Sequence, residues 1–159
     1  MGNKGEPVDG VLLLDKPESI SSNWVLQLAR RLLNAQKAGH TGTLDPMATG
    51  LLPLAFGNAT KFSADLLRAD KSYIATMKFG QRTDTLDKTG VVTQTSDVRP
   101  SLEQVRSLLS EFTGTILQRP PMYSAIKHGG KNLYELARRG IEVQREERQV
   151  CVKRLDLLS

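Results

Sequence analysis

At 159 residues and 39% apolar composition, the chain has the size of one ordinary domain and enough apolar side chain for a single packed core, which argues against several independent domains. Its 22 Lys and Arg against 17 Asp and Glu leave a net charge of +5, and residues 119–159 hold nine basic and five acidic side chains, so four of those five charges sit in the last quarter of the chain, where clustering favours a polyanionic partner. A single cysteine, Cys151, and two histidines, His40 and His128, rule out an internal disulfide and a conventional zinc site and point to a metal-free protein of the reducing cytoplasm.

The first six residues are polar and Gly-rich, and residues 1–8 are expected to form a flexible tail; Glu6 stands where a myristoylation signal needs Ser or Thr. Gly10–Leu14 reads as a short buried strand stopped by Asp15-Lys16-Pro17. Its apolar run is too short for a signal-peptide core, and the longest uncharged stretch, Pro46–Thr60, is interrupted by Gly50 and Pro53, so neither secretion nor membrane insertion is expected. A helix follows, with Ser21 or Ser22 as N-cap, Val25, Leu28, Ala29, Leu32 and Leu33 on its buried face, and Arg30 and Arg31 turned to water. Gly39–Gly50 has the composition of a structured loop, and Leu51–Phe56 that of a buried strand or helix start ended by Gly57.

Farther on, Tyr73–Phe79 predicts a strand and Gly80–Gly90 its connecting loop. Ser101 and Gln104 form a capping box for a helix with Leu102, Val105, Leu108, Leu109 and Phe112 on one face. Thr113–Gln118 and Ser124–Lys127 are strand-like, Gly129-Gly130 makes a tight turn, a short helix from Leu133 to Arg139 ends at Gly140, and Val150–Leu157 is a last strand. Helices and strands mix without strict alternation or internal repeat, which predicts an α+β fold with a mixed, largely antiparallel sheet flanked by helices.

The densest unusual segment is Gly39-His-Thr-Gly-Thr-Leu-Asp45-Pro-Met-Ala-Thr-Gly50. Its glycines permit close approach of backbone to a ligand, and Pro46 keeps Asp45 out of helical geometry. A carboxylate on such a loop is ionised at neutral pH and held in place. Asp45 is therefore a candidate catalytic group, although most Asp-Pro dipeptides use the carboxylate only to accept backbone N–H groups in a turn, and the local pattern alone favours that use.

Four segments taken in order, GVLLLDKPESISSNWVLQLARR, KAGHTGTLDPMATGLLPLAFGNATKF, KSYIATMKFGQRTDTLDKTG and QRPPMYSAIKHGGKNLYELARRGIEV, resemble the TruB family of RNA pseudouridine synthases, in its stand-alone bacterial branch. The resemblance runs from about Asp9 to the end of the chain and implies that residues 9–159 form a pseudouridine synthase catalytic domain. It further implies a cofactor-free, cytoplasmic, monomeric enzyme whose partner is the T-stem-loop of tRNA, where one uridine is flipped out of its stack and isomerised to pseudouridine.

In that family the Asp of the LDP motif is essential, so the resemblance makes Asp45 the catalytic carboxylate, acting either as nucleophile on the anomeric carbon or as base on the neighbouring ribose proton. Tyr73 matches the family's Tyr that stacks on the target uracil, a role compatible with an ordinary packed strand Tyr. His40 matches the motif His that contacts RNA; outside the family such a His serves local hydrogen bonding. Lys61 falls near the family's active site, facing a phosphate or the catalytic loop, or else simply solvent. Residues 121–148 resemble an insertion that closes over the RNA, making Lys127, Lys131, Arg138 and Arg139 RNA contacts. The family's domain continues to a Lys-Gly-Thr-Tyr-Ile-Arg segment whose Arg pairs with the catalytic Asp. That segment is absent before Ser159, so the resemblance implies an incomplete catalytic domain with weak turnover on its own. The alternative function is a non-catalytic RNA-binding or RNA-folding module; a glycoside hydrolase lacks an evident second carboxylate.

Overall fold

The structure, a computed structural model, describes residues 5–158; residues 1–4 of the predicted tail lie outside the described residues. The chain divides into two compact units, one ending at Ile74 and the other beginning at Ala75.

In the first unit, strand β1 (Gly10–Lys16), helix α1 (Ser22–Leu32), β2 (Ala38–His40) and β3 (Gly50–Phe56) lead into a 3₁₀ turn at Gly57–Phe62 and helix α2 (Ser63–Arg68). The sheet has the order β1-β3-β2 and is antiparallel throughout, with Gly10 opposite Phe56 and Lys16 opposite Gly50 at the two ends of the β1–β3 ladder. The described end of the predicted tail is pinned: Glu6 N–H donates to the Asn34 carbonyl, and Gln36 N–H donates to the Glu6 carbonyl at 3.0 Å. Glu6 thereby forms a parallel bridge with Ala35.

The core is built by Leu26, Ala29, Ala35, Leu52, Leu54 and Phe56, with Val8, Leu14, Ala38 and Leu44 packed against it. Alternation along β3 turns Leu52, Leu54 and Phe56 to the helix side, each contributing roughly 1.5–3 kcal/mol of transfer free energy. Helix α1 starts at Ser21, whose hydroxyl accepts from Trp24 N–H. Its buried face is Ser22, Val25, Leu26 and Ala29. This corrects the expected face: Leu32 and Leu33 are exposed, because the stripe that meets the sheet runs through Ser22 and Leu26 and leaves the helix before its last turn. Arg30 is not wholly given to water either, since its guanidinium donates to the carbonyls of Ala35 and Gln36.

The second unit carries the hairpin β4 (Gln81–Thr83) and β5 (Val92–Thr95), helix α3 (Leu102–Leu108) running into a 3₁₀ turn at Leu109–Phe112, and β6 (Gly114–Gln118) paired antiparallel with β9 (Arg148–Val152). The Ser101–Gln104 capping box is present in both directions. Between β6 and β9 lie β7 (Lys127–His128), β8 (Lys131–Asn132) and α4 (Leu133–Ala137). Gly129 and Gly130 both have positive φ, as a two-residue type I′ hairpin turn demands. Gly140, also left-handed, closes α4 while Ile141 N–H donates to the Leu136 carbonyl at 3.0 Å.

Three strand expectations are corrected. Tyr73–Phe79 is not a strand; its β propensity is real, but a strand needs a ladder partner, and this segment has none among the described residues. Ser124–Lys127 shrinks to the two residues of β7, because only the rungs beside the Gly129-Gly130 turn are paired. The last strand ends at Val152, because its partner β6 begins at Gly114.

Candidate functional site

The loop between β2 and β3 begins where the sheet is forced to release the chain. The Pro53 carbonyl points to the β2 side, where it accepts from Thr41 N–H at 3.1 Å and from the Thr41 hydroxyl at 3.3 Å. Both main-chain groups of a strand residue point to the same neighbour, so the donor that Pro53 lacks would have served the residue after His40. The β2–β3 ladder therefore stops at His40 opposite Leu54, and Thr41, itself buried, anchors the start of the loop.

Two side chains whose place at the site the sequence did not announce, one of them the alternative N-cap Ser22, hold the loop's neck. Lys16, at the end of β1, is completely buried. Its ammonium donates to the carbonyls of Pro17 at 2.8 Å, Ile20 at 2.9 Å and Pro46 at 3.3 Å, matching three donors with three acceptors in a place where an unmatched charge is costly. Ser22, also buried, brackets Leu44: its hydroxyl donates to the Leu44 carbonyl at 2.8 Å and accepts from Leu44 N–H at 2.9 Å. Ser19 N–H adds a bond to the Pro46 carbonyl at 2.7 Å. Leu44 and Pro46, the residues on either side of Asp45, are thus tied to β1, to α1 and to the turn between them.

Asp45 itself is exposed. Its carbonyl accepts from Ala48 N–H at 3.0 Å to close a turn, while its carboxylate has no hydrogen-bond or ion-pair partner among the described residues. The alternative use of this group, as an acceptor within an Asp-Pro turn, is not what the geometry displays. A carboxylate with a fixed backbone and an open face is available to a substrate from one side.

The remaining candidates are placed as follows. His40 ends β2, and its Nδ1 is buried without a partner, which leaves that ring atom a hydrogen bond short. Lys61 is exposed in the last turn of the 3₁₀ segment. Tyr73 is 71% exposed and belongs to no strand, so it stands free rather than packed into a wall beside Asp45. Lys127 and Lys131 flank the Gly129-Gly130 turn, and Arg139 follows α4; all three are exposed. Exposed Arg138 lies 5.3 Å over the Tyr134 ring. Among the described residues no three His, Cys, Asp or Glu side chains gather where a metal ion could be held, and no helix is long and apolar enough to cross a membrane.

A second ordered loop joins β4 to β5. Desolvation by burial raises the Asp87 pKa, but hydrogen bonds from the Thr89 and Thr85 hydroxyls and from the Thr89 and Gly90 N–H groups outweigh it and hold the carboxyl below the usual aspartate range. Asp84 accepts from Thr85 N–H at 2.9 Å and Val91 N–H at 2.8 Å, so both aspartates organise the loop.

Residues 30–159 match the model of the N-terminal domain of TruB family pseudouridylate synthases. The chain is 61% identical over 152 residues to tRNA pseudouridine synthase B of Dechloromonas aromatica, covering 96% of this chain and 51% of that protein. Against the protein of the same name from Chromobacterium violaceum it is 60% identical over 152 residues, covering 96% and 50%. The chain therefore spans about half the length of the curated relatives it matches. Among solved structures, a chain of a Cbf5–Nop10–Gar1 complex superposes with a TM-score of 0.55 at 30% identity, over 88% of this chain and 32% of that one.

Proposed function

Because this chain belongs to the TruB family of pseudouridylate synthases, we propose that it provides the Asp45-bearing part of an enzyme that isomerises a uridine in the T-loop of tRNA. The observation that carries this reading is the exposed carboxylate of Asp45 on a loop whose two flanking residues are fastened by buried Lys16 and Ser22. The names of the curated relatives support the substrate class.

In the reaction the bond from C1′ to N1 of the base breaks, the uracil turns, a bond from C1′ to C5 forms, N1 takes up a proton and the C5 proton goes to solvent. Redox balance is unchanged, so the chain needs to supply only position and proton handling. Asp45 acts on the ribose, by attack at C1′ or by taking the C2′ proton. His40, whose Nδ1 is unsatisfied, contacts the displaced RNA. Tyr73 offers its exposed ring to the flipped uracil, and Lys61 offers its cation to a phosphate. Residues 121–148 form the gripping insertion, with Lys127, Lys131, Arg138 and Arg139 on its exposed surface providing contacts that offset a few kcal/mol of unstacking.

Tritium release from carbon-5-labelled uridine in a T-arm stem-loop, followed in a single turnover with protein in excess, tests the reading. Release that Asp45→Asn lowers by about 10²–10⁴-fold, with RNA affinity kept, is the expected result. Binding by the wild type without any release leaves the non-catalytic RNA module instead.

A further inference from the structure

The segment between β6 and β9 contains a cleft lined by Arg119, Glu142, Val143, Gln144 and Arg145. Arg145 enters it held from two directions: Nη1 donates to the Pro120 carbonyl at 3.3 Å, and Nη2 lies 3.0 Å from Glu142 Oε1. Its third donor, Nε, is buried and has no acceptor. The two partners of this pair are unequally fixed, since the Arg145 side chain is 19% exposed and that of Glu142 79%. Glu142 can swing into water at little cost, while Arg145 stays where the Pro120 carbonyl places it. Arg119, on the same cleft, lies 3.3 Å from Glu147 in a pair exposed on both sides, the kind of contact that contributes little net stability.

We propose that this cleft is an anion-exchange site that takes one phosphodiester of the bound RNA, with Glu142 standing in for that phosphate while RNA is absent. Two oxygens of one phosphate reaching Arg145 would satisfy Nη2, after Glu142 leaves, and the orphaned Nε, making the side-by-side pair of hydrogen bonds for which a guanidinium is shaped and an ammonium is not. Arg119, released from Glu147, supplies the second cation. The exchange keeps Arg145 ordered before RNA arrives, so less conformational freedom is lost on binding. No covalent step is involved. The inference rests on the RNA-binding reading above and adds to it a named phosphate site outside the lysine hairpin.

The test is equilibrium binding of the whole chain to a T-arm stem-loop RNA across a range of salt, for the wild type, Arg145→Lys, Arg145→Gln, Glu142→Gln and Glu103→Gln. Glu103 is exposed at the start of α3, so its variant makes the same charge change outside the cleft. Arg145→Lys, which keeps the charge but loses the paired geometry, is expected to bind about tenfold more weakly. Arg145→Gln should reduce the log-log salt slope by about 0.7–0.9. Glu142→Gln, which removes the competitor, should bind about threefold more tightly, while Glu103→Gln stays at the wild-type value. Arg145→Lys binding like the wild type, or Glu142→Gln behaving like Glu103→Gln, overturns the exchange site and leaves the RNA-binding reading standing. A wild type that binds no stem-loop overturns both.

Discussion

The two units of this chain are held together by different means. In the first, Leu52, Leu54, Ala55 and Phe56 are nearly inaccessible, and even a lysine and two hydroxyl residues are sealed inside with their hydrogen bonds made. In the second, Leu133 is the only large apolar side chain fully buried among the described residues, and Val91, Val98, Leu102, Phe112 and Leu117 are all exposed. Its order comes from local devices: a capping box, two-glycine and αL turns, the Asp87 loop and the short β6–β9 ladder. Tertiary packing fixes geometry more stringently than local hydrogen bonding does. The function proposed above would place its carboxylate on the first kind of scaffold and its basic RNA-facing surface on the second.

The largest expected effect falls on the clamp. Lys16→Met buries three carbonyls without a donor, and should lower stability by roughly 3 kcal/mol or more, measured as a shift of the denaturant midpoint; an unchanged midpoint would mean that the neck is not held by that ammonium. The core comes next. Leu54→Ala, at a site with no exposure, should cost about 2–5 kcal/mol, whereas Leu32→Ala, on the exposed end of α1, should stay within about 0.5 kcal/mol. Similar costs at both positions would erase the distinction between the packed core and the free end of α1.

The smallest effect belongs to the second unit. Since the Asp87 pKa is lowered in the folded chain, its contribution is fully present above the ordinary aspartate pKa of about 4 and is lost as pH falls through the lowered value. Amide protection in residues 84–91 should therefore fall at acid pH below that ordinary value, and in Asp87→Asn it should be low at every pH. A profile in Asp87→Asn that still follows the wild type would assign the titration to another group.

Much of this was legible in the sequence because it is local. Ser101 with Gln104, Gly129-Gly130, Gly140 and the Val11–Leu14 run announce a capped helix, a hairpin turn, a helix end and a strand through signals a few residues long. Tyr73–Phe79 differs for the opposite reason: alternation and aromatic content describe a strand's side chains, whereas a strand also needs a ladder partner, and this segment has none among the described residues. The buried face of α1 differs from its apolar periodicity because Ser22 is polar yet buried, its hydroxyl spent on Leu44. Asp45 could be picked out from its loop, but the residues that position it could not. A lysine after an apolar run reads as the charged end of a strand, since fully buried lysines are rare, and only the fold brings the Pro46 carbonyl back across 30 positions to meet it.

Native-state hydrogen exchange, read residue by residue, tests whether the neck of the Asp45 loop is part of the core. The amides of Thr41 and Leu44 should be protected nearly as well as those of the β1–β3 ladder and better than those of the β7–β8 hairpin, and Ser22→Ala should release Leu44 selectively. Exchange at Leu44 as fast as in an exposed turn, or unchanged by Ser22→Ala, would contradict it.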